Sequence, residues 1–133
     1  MAPKRNVRYR SSETSEMYLE TILILREEKD GVHAVDIARA LDFSKPTVSE
    51  YLHRLRDEDL VSIDENSHVS LTEKGEKIAQ TIYERHQVLT AVLMHIGVSE
   101  ETAVEDACRV EHYISAETFD RIKEFCCKGE GEN

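Results

Sequence analysis

The stretch Ala34-Val35-Asp36-Ile37-Ala38-Arg39-Ala40-Leu41-Asp42-Phe43-Ser44-Lys45-Pro46-Thr47-Val48-Ser49-Glu50-Tyr51-Leu52-His53-Arg54-Leu55 reads as two short helices with a break between them. Ala34, Ile37, Ala38 and Leu41 keep the i, i+3, i+4, i+7 spacing of an amphipathic helix. Asp42-Phe43-Ser44 makes a tight turn. Ser44 is a good N-cap for the second helix, and Pro46 falls in its first turn, where a missing N–H costs nothing. Val48, Tyr51, Leu52 and Leu55 form the expected buried face. Two short helices joined this way are a helix-turn-helix. The exposed start of the second helix carries Ser44, Lys45, Pro46, Thr47, Ser49 and Glu50, with Arg54 further on. Small hydrogen-bonding residues stand there in a helix that meets base edges and phosphates. They also suit an ordinary surface helix, so the neighbours have to decide.

Upstream, residues 13–29, beginning Glu13-Thr14-Ser15-Glu16, form a helix with acidic groups in its first turn. Tyr18, Leu19, Ile22 and Leu25 are its apolar arc, and Asp30-Gly31 ends it. Met17 and Glu20 fall together at i, i+3 beside that arc. Each has a plain interpretation, Met17 as filler at the core edge and Glu20 as a solvated carboxylate. Downstream, Val61, Ile63, Val69 and Leu71 alternate with polar residues around Asp64-Glu65-Asn66-Ser67, the pattern of a β-hairpin with a four-residue loop. Helix, helix-turn-helix and hairpin in that order make a winged helix. Asp64 and Glu65 make the wing loop a poor surface for phosphate.

From Thr72 to about Ile96 a long helix is expected, striped by Ile78, Ile82, Leu89, Val92, Leu93 and Ile96, with His86 on its flank. Gly97 ends it and Ser99 caps the next helix, which is expected to hold Cys108-Arg109-Val110-Glu111-His112. In a helix Cys108, Glu111 and His112 sit at i, i+3 and i+4 and share a face. Thiol, carboxylate and imidazole are common metal-ligating groups. The apolar stripe of Ala103, Ala107, Val110 and Ile114 lies on another side. The stretch therefore reads as half a metal site, or as a partly buried Cys beside a surface Glu–His pair. Ser115 caps a last short helix expected to end near Phe125. The helices after the hairpin carry more apolar surface than one small lobe can bury, which points to a dimer seam.

The composition fits a mainly helical protein: 133 residues, with few Gly and Pro, no Trp and abundant charged helix formers. A net charge of −10 excludes nucleic-acid binding by bulk charge and leaves room for a local reader. No apolar run reaches the length of a membrane span, and no secretory signal opens the chain. An odd number of cysteines, with Cys126 and Cys127 adjacent, does not make a disulfide framework. A reduced, cytoplasmic protein is expected, with residues 1–11 and 128–133 disordered.

Ser15-Glu16-Met17-Tyr18-Leu19-Glu20-Thr21-Ile22, Ser44-Lys45-Pro46-Thr47-Val48-Ser49, Arg85-His86 and Asp106-Ala107-Cys108-Arg109-Val110-Glu111-His112 together resemble the diphtheria-toxin-repressor family. These are metal-dependent transcriptional repressors, of which the manganese transport regulators are one branch. The resemblance covers about residues 12–125. It implies a winged-helix DNA-binding domain over residues 1–71 and a helical metal-binding and dimerisation domain over residues 72–133. By position it implies the metal ligands Met17, Glu20, His86, Cys108, Glu111 and His112, with Fe²⁺ or Mn²⁺ as the ion and other divalent transition metals possible in vitro. The set is a hybrid: Met17 and Cys108 match the iron branch, Glu20 the manganese branch. Thr90 and Val104 stand where the iron branch has an ancillary Glu and His. The chain is also expected to lack that branch's third, SH3-like domain.

The implied function is a repressor of metal-homeostasis genes. A homodimer would bind an inverted-repeat operator in double-stranded DNA, and metal would set the spacing of its two recognition helices. No membrane role and no enzyme activity are expected. A metal-binding buffer or interaction module whose winged helix does not read DNA is an alternative, supported by the negative charge. A metalloenzyme is another; it would need an open coordination position and a substrate cleft, and no loop is long enough to build one.

Overall fold

The apolar arc of the first helix sets the core of the N-terminal unit. In this computed structural model, which describes residues 11–131 and the side chains of 13–126, helix α1 spans Ser11–Arg26. Tyr18, Leu19, Ile22 and Leu23 are buried along it. Leu23 joins the expected set, and Leu25 is only half-buried. Helices α2 (Ala34–Leu41) and α3 (Lys45–Asp57) follow. Asp42 closes α2 in the left-handed conformation, φ 60°, which a short polar side chain tolerates. Ser44 then opens α3 as expected, its hydroxyl oxygen accepting from the Thr47 N–H at 3.3 Å. Val48, Leu52 and Leu55 are buried as expected, while Tyr51 stays half-buried.

Strands β1 (Val61–Ile63) and β2 (Val69–Leu71) pair antiparallel, Ser62 opposite Ser70. Val61 and Val69 face the core. Five residues separate the strands, one more than the sequence pattern indicated. His68 is the addition, because Asp64 folds the tip on itself. Its backbone N–H donates to the His68 carbonyl, and its carboxylate accepts from the backbone N–H groups of Asn66 and His68 at 2.8 and 2.9 Å. Those amides, that of His68 first, hold the Asp64 carboxyl below its usual range. Val32, just ahead of α2, adds a bridge to the hairpin through its carbonyl, which accepts from Val69 N at 2.7 Å.

The chain divides into two units, Met1–Gln80 and Thr81–Asn133, with the boundary inside the long helix α4 (Glu73–His95). Ile82 and Leu89 are buried on the C-terminal part of α4, and Ala103 and Ala107 on α5 (Glu100–Val110). Phe119 is buried on α6 (Ala116–Gly131). Gly97 takes φ +107°, letting Val98 N–H reach back to the Leu93 carbonyl at 3.0 Å and end α4. Helix α6 runs past its expected end near Phe125, since Lys123 and Glu84 pair between α6 and α4 and no Gly or Pro interrupts it before Gly129. Residues 128–131, expected to be disordered, are its last turn. The same expectation for residues 1–10 and 132–133 lies outside the described residues, as does the Cys127 side chain. No described helix is long and apolar enough to cross a membrane.

Two features of the N-terminal unit give measurable expectations. Gly75 sits in the first turn of α4 against the entry to β1, and a Cβ there would lie 2.0 Å from the Leu60 carbonyl oxygen. Gly75→Ala is therefore expected to destabilise by about 1–3 kcal/mol through steric overlap, reversing the gain that Ala normally brings inside a helix; urea unfolding measures it. Arg26 and Glu76 form a bidentate pair at 2.6 Å, with side chains 39% and 33% exposed. The Arg26 hydrogen bonds draw the Glu76 pKa from 4.5 to about 2. A depressed carboxyl stabilises the fold above pH 4.5 and loses that contribution as pH falls towards 2. Glu76→Gln should cost at most about 1 kcal/mol at pH 7, and the difference from the parent should close across that acid window in pH-dependent denaturation.

Candidate metal centre and nucleic-acid interface

The C-terminal unit builds its donors on a turn. Helix α5 stops at Val110, and Glu111 is its C-cap. The expected helix through His112 thus ends two residues early, with Tyr113 N–H returning to the Val110 carbonyl at 2.9 Å. The cause is Arg85 on α4, whose Nη1 donates to the carbonyls of both Glu111 and Ile114 at 3.1 Å. A guanidinium satisfies carbonyl groups that the end of a helix leaves open and complements its dipole. The Arg85 guanidinium also lies 5.5 Å from the centre of the Phe119 ring.

Glu111 itself keeps helical backbone angles and its N–H bond to the Ala107 carbonyl, so Cys108 and Glu111 still stand at i, i+3, but their surroundings differ. Glu111 is fully buried and His112 is 4% exposed, whereas Cys108, still on α5, is exposed. His86 Nδ1 lies 3.1 Å from Glu111 Oε1, and His112 Nε2 lies 3.3 Å from Glu111 Oε2. The structure thus brings His86, Glu111 and His112 together. A carboxylate removed from water requires partners of this kind. The donors fit a divalent transition metal in type, since imidazole and carboxylate suit Mn²⁺ and Fe²⁺. His86 and His112 approach different oxygens of the one carboxylate, so Glu111 is the group the two imidazoles share.

On α1, Met17 is half-buried and Glu20 is 7% exposed, so Glu20 is not the solvated carboxylate of the plain interpretation. Thr90 has a buried hydroxyl oxygen without a hydrogen-bond partner, and Val104 is 39% exposed. Neither offers a ligand. Val110, expected in the buried stripe of α5, is 40% exposed because the helix ends beneath it.

On α3, Ser44, Lys45, Pro46, Thr47 and Glu50 are exposed and Ser49 is half-buried. The Ser44 hydroxyl donates to Thr47 Oγ1 at 2.8 Å, so both hydroxyls serve the cap as well as the surface. A groove of about 300 Å³ runs beside this helix, lined by Lys45, Ser49 and His53 of α3, His33, and Ser67 of the wing. Sequence reasoning missed His53, although Lys45, Ser49 and His53 keep i, i+4, i+8 spacing on one face. It quoted Arg85 only as part of a motif; a cation facing a helix C-terminus carries no local pattern.

Two family models match the chain in sequence order. The N-terminal DNA-binding domain of iron-dependent repressors matches residues 11–69. Their metal-binding and dimerisation domain matches residues 72–128. The chain belongs to the iron-dependent repressor family and is a metal-dependent, DNA-binding transcriptional repressor. It is 40% identical over 111 residues to the transcriptional regulator MntR of Escherichia coli O6:H1, covering 84% of this chain and 72% of that one. It is 36% identical over 111 residues to the iron-dependent repressor IdeR of Mycobacterium bovis, covering 83% of this chain and 48% of IdeR. Among solved structures, the manganese regulator SloR superposes with a TM-score of 0.74 at 32% identity, covering 84% of this chain and 52% of SloR. The chain thus spans about half the length of IdeR and of the SloR chain.

Arg85 supports from outside the turn that carries Glu111 and His112, two of the candidate ligands. Arg85→Met is expected to weaken Mn²⁺ binding about 10- to 100-fold, as loss of a group that orients ligands does, with Arg85→Lys in between. Calorimetric titration decides this, and an unchanged affinity in Arg85→Met would refute it.

Proposed function

We propose that this protein represses metal-homeostasis genes in the cytoplasm, acting as a homodimer activated by Fe²⁺ or Mn²⁺ on an inverted-repeat operator in double-stranded DNA. The observation that carries this reading is the buried Glu111 carboxylate between His86 and His112, in a chain whose winged helix presents the small polar face of α3. We assign the metal to Met17, Glu20, His86, Cys108, Glu111 and His112. The assignment of Met17, Glu20 and Cys108 rests on the sequence blocks shared with the family. Bound metal would supply coordinate bonds to these ligands. Such bonds favour one conformer of the dimer, and by linkage metal and DNA each tighten the binding of the other.

The dimer is supported by apolar side chains left in the open on the C-terminal unit, Ile96 at 70% and Phe125 at 80% exposure, with Met94 and Tyr113. The α3 contacts to DNA are assigned to Ser44, Lys45, Pro46, Thr47, Ser49 and Glu50. Lys45 and Arg54 supply the local positive charge in a chain of net charge −10. Regulation, with no catalytic step, is the role of a family of transcriptional regulators. Cys126 and Cys127 are left out of the ligand set.

The test is an anaerobic selection of duplexes from a random-sequence library, followed by binding titrations with each metal. An inverted repeat should be enriched with metal and lost with chelator. Fe²⁺ should activate at least as well as Mn²⁺, because sulfur donors favour it, and Met17→Asp with Cys108→Glu should shift the response towards Mn²⁺. Enrichment of no sequence would favour a metal buffer that does not read DNA. A double mutant with the parent's metal preference would remove sulfur from the account of selectivity.

A further inference from the structure

Two contacts tie α1 to α3 and a third ties it to the turn before α3, all inside the N-terminal unit. Ser15 Oγ and the Tyr51 hydroxyl share a hydrogen bond of 2.9 Å. The Tyr18 and Tyr51 rings stack 4.6 Å apart with 20° between their planes. Tyr18, 1% exposed, also meets Phe43 of the inter-helix turn at 6.2 Å. On α3 itself, the Arg54 guanidinium lies 4.9 Å from the centre of the Tyr51 ring.

These residues surround the metal-ligand positions of α1 in sequence. Ser15 and Tyr18 flank Met17, and Glu20 is two residues beyond Tyr18. We propose that Tyr51 is a positioning residue that carries the state of α1 to the recognition helix. Its ring and hydroxyl grip α1 on either side of Met17, and the same ring sets where Arg54 stands. This inference rests on the repressor reading above and adds the route by which metal on α1 reaches the DNA-facing helix. A stacked ring pair resists separation and tolerates sliding; the hydroxyl bond to Ser15 fixes the slide. A rotation of α1 thus has to move Tyr51 and, with it, Arg54, one of the cations of the recognition helix.

The experiment uses the full chain and duplexes selected by the metal-loaded parent. DNA affinity is measured with saturating Mn²⁺ and with chelator for the parent, Tyr51→Leu, Tyr51→Phe and Ser15→Ala, with circular dichroism to check folding. The readout is the factor by which metal raises DNA affinity. In Tyr51→Leu that factor should fall about three- to tenfold, the range set by loss of an aromatic pair. In Tyr51→Phe and Ser15→Ala it should fall about twofold each, and no further when the two are combined, since both remove one hydrogen bond. Mn²⁺ affinity without DNA should stay within about twofold of the parent, because none of these residues is a ligand. A purely structural role would weaken DNA binding equally with and without metal; an unchanged factor in the folded variants overturns the proposal. If Tyr51→Leu does not fold, the two mild variants decide. A parent whose DNA binding ignores metal would overturn the repressor reading, whereas a responsive parent with equally responsive variants would overturn the role of Tyr51 alone.

Discussion

A carboxylate with no exposure to water has to be matched, and the C-terminal unit is arranged around matching Glu111. Its two oxygens face His86 and His112 at 3.1 and 3.3 Å. To put it there, α5 must stop at Val110, the chain must turn, and Arg85 must take the carbonyls that the turn leaves open. Each requirement follows from the one before. Cys108 and Glu111 keep the i, i+3 spacing of the last helical turn, yet Cys108 is exposed and Glu111 is buried, so the packing around each, not its place on the helix, decides its environment.

The winged helix was legible because its signals are local. Ser44, Pro46, the tight turn at Asp42-Phe43-Ser44 and the alternation around the wing each act within a few residues of themselves; α2 and α3 came out where those signals put them, and the two strands did so but for one further loop residue. What was illegible depends on groups far apart in sequence. The Arg85 bonds to Glu111 and Ile114 join α4 to the turn after α5, so no window around Glu111 could reveal that the helix ends there. The close approach of Gly75 to Leu60 is likewise a packing fact, invisible to helix propensity. At the candidate site, residue types and positions could be read from the motif. The division into buried Glu111 and His112 and exposed Cys108 could not, because burial depends on packing by groups distant in sequence.

Charge in this protein is allocated locally. The chain is strongly acidic, yet several carboxylates are committed to backbone or to specific cations: Asp36 to the His33 N–H and Lys29, Glu76 to Arg26, Asp64 to the wing tip. Lys45 and Arg54 on α3 are exposed. A surface can thus be negative on average and still offer a duplex a positive edge, provided the positive groups lie where the helix docks.

The wing carries this division to single atoms. Asp64 Oδ1 accepts both amide bonds that shape the tip, while Glu65 is exposed beside it. Shape and charge are therefore set by different parts of the loop. An amide at position 64 would keep the acceptor and shed the charge, and position 65 is open to any exposed side chain. The tip is a fixed mould on which electrostatics can be rewritten without refolding it. A winged helix built on such a mould can change the charge of its wing tip while the tip keeps its shape.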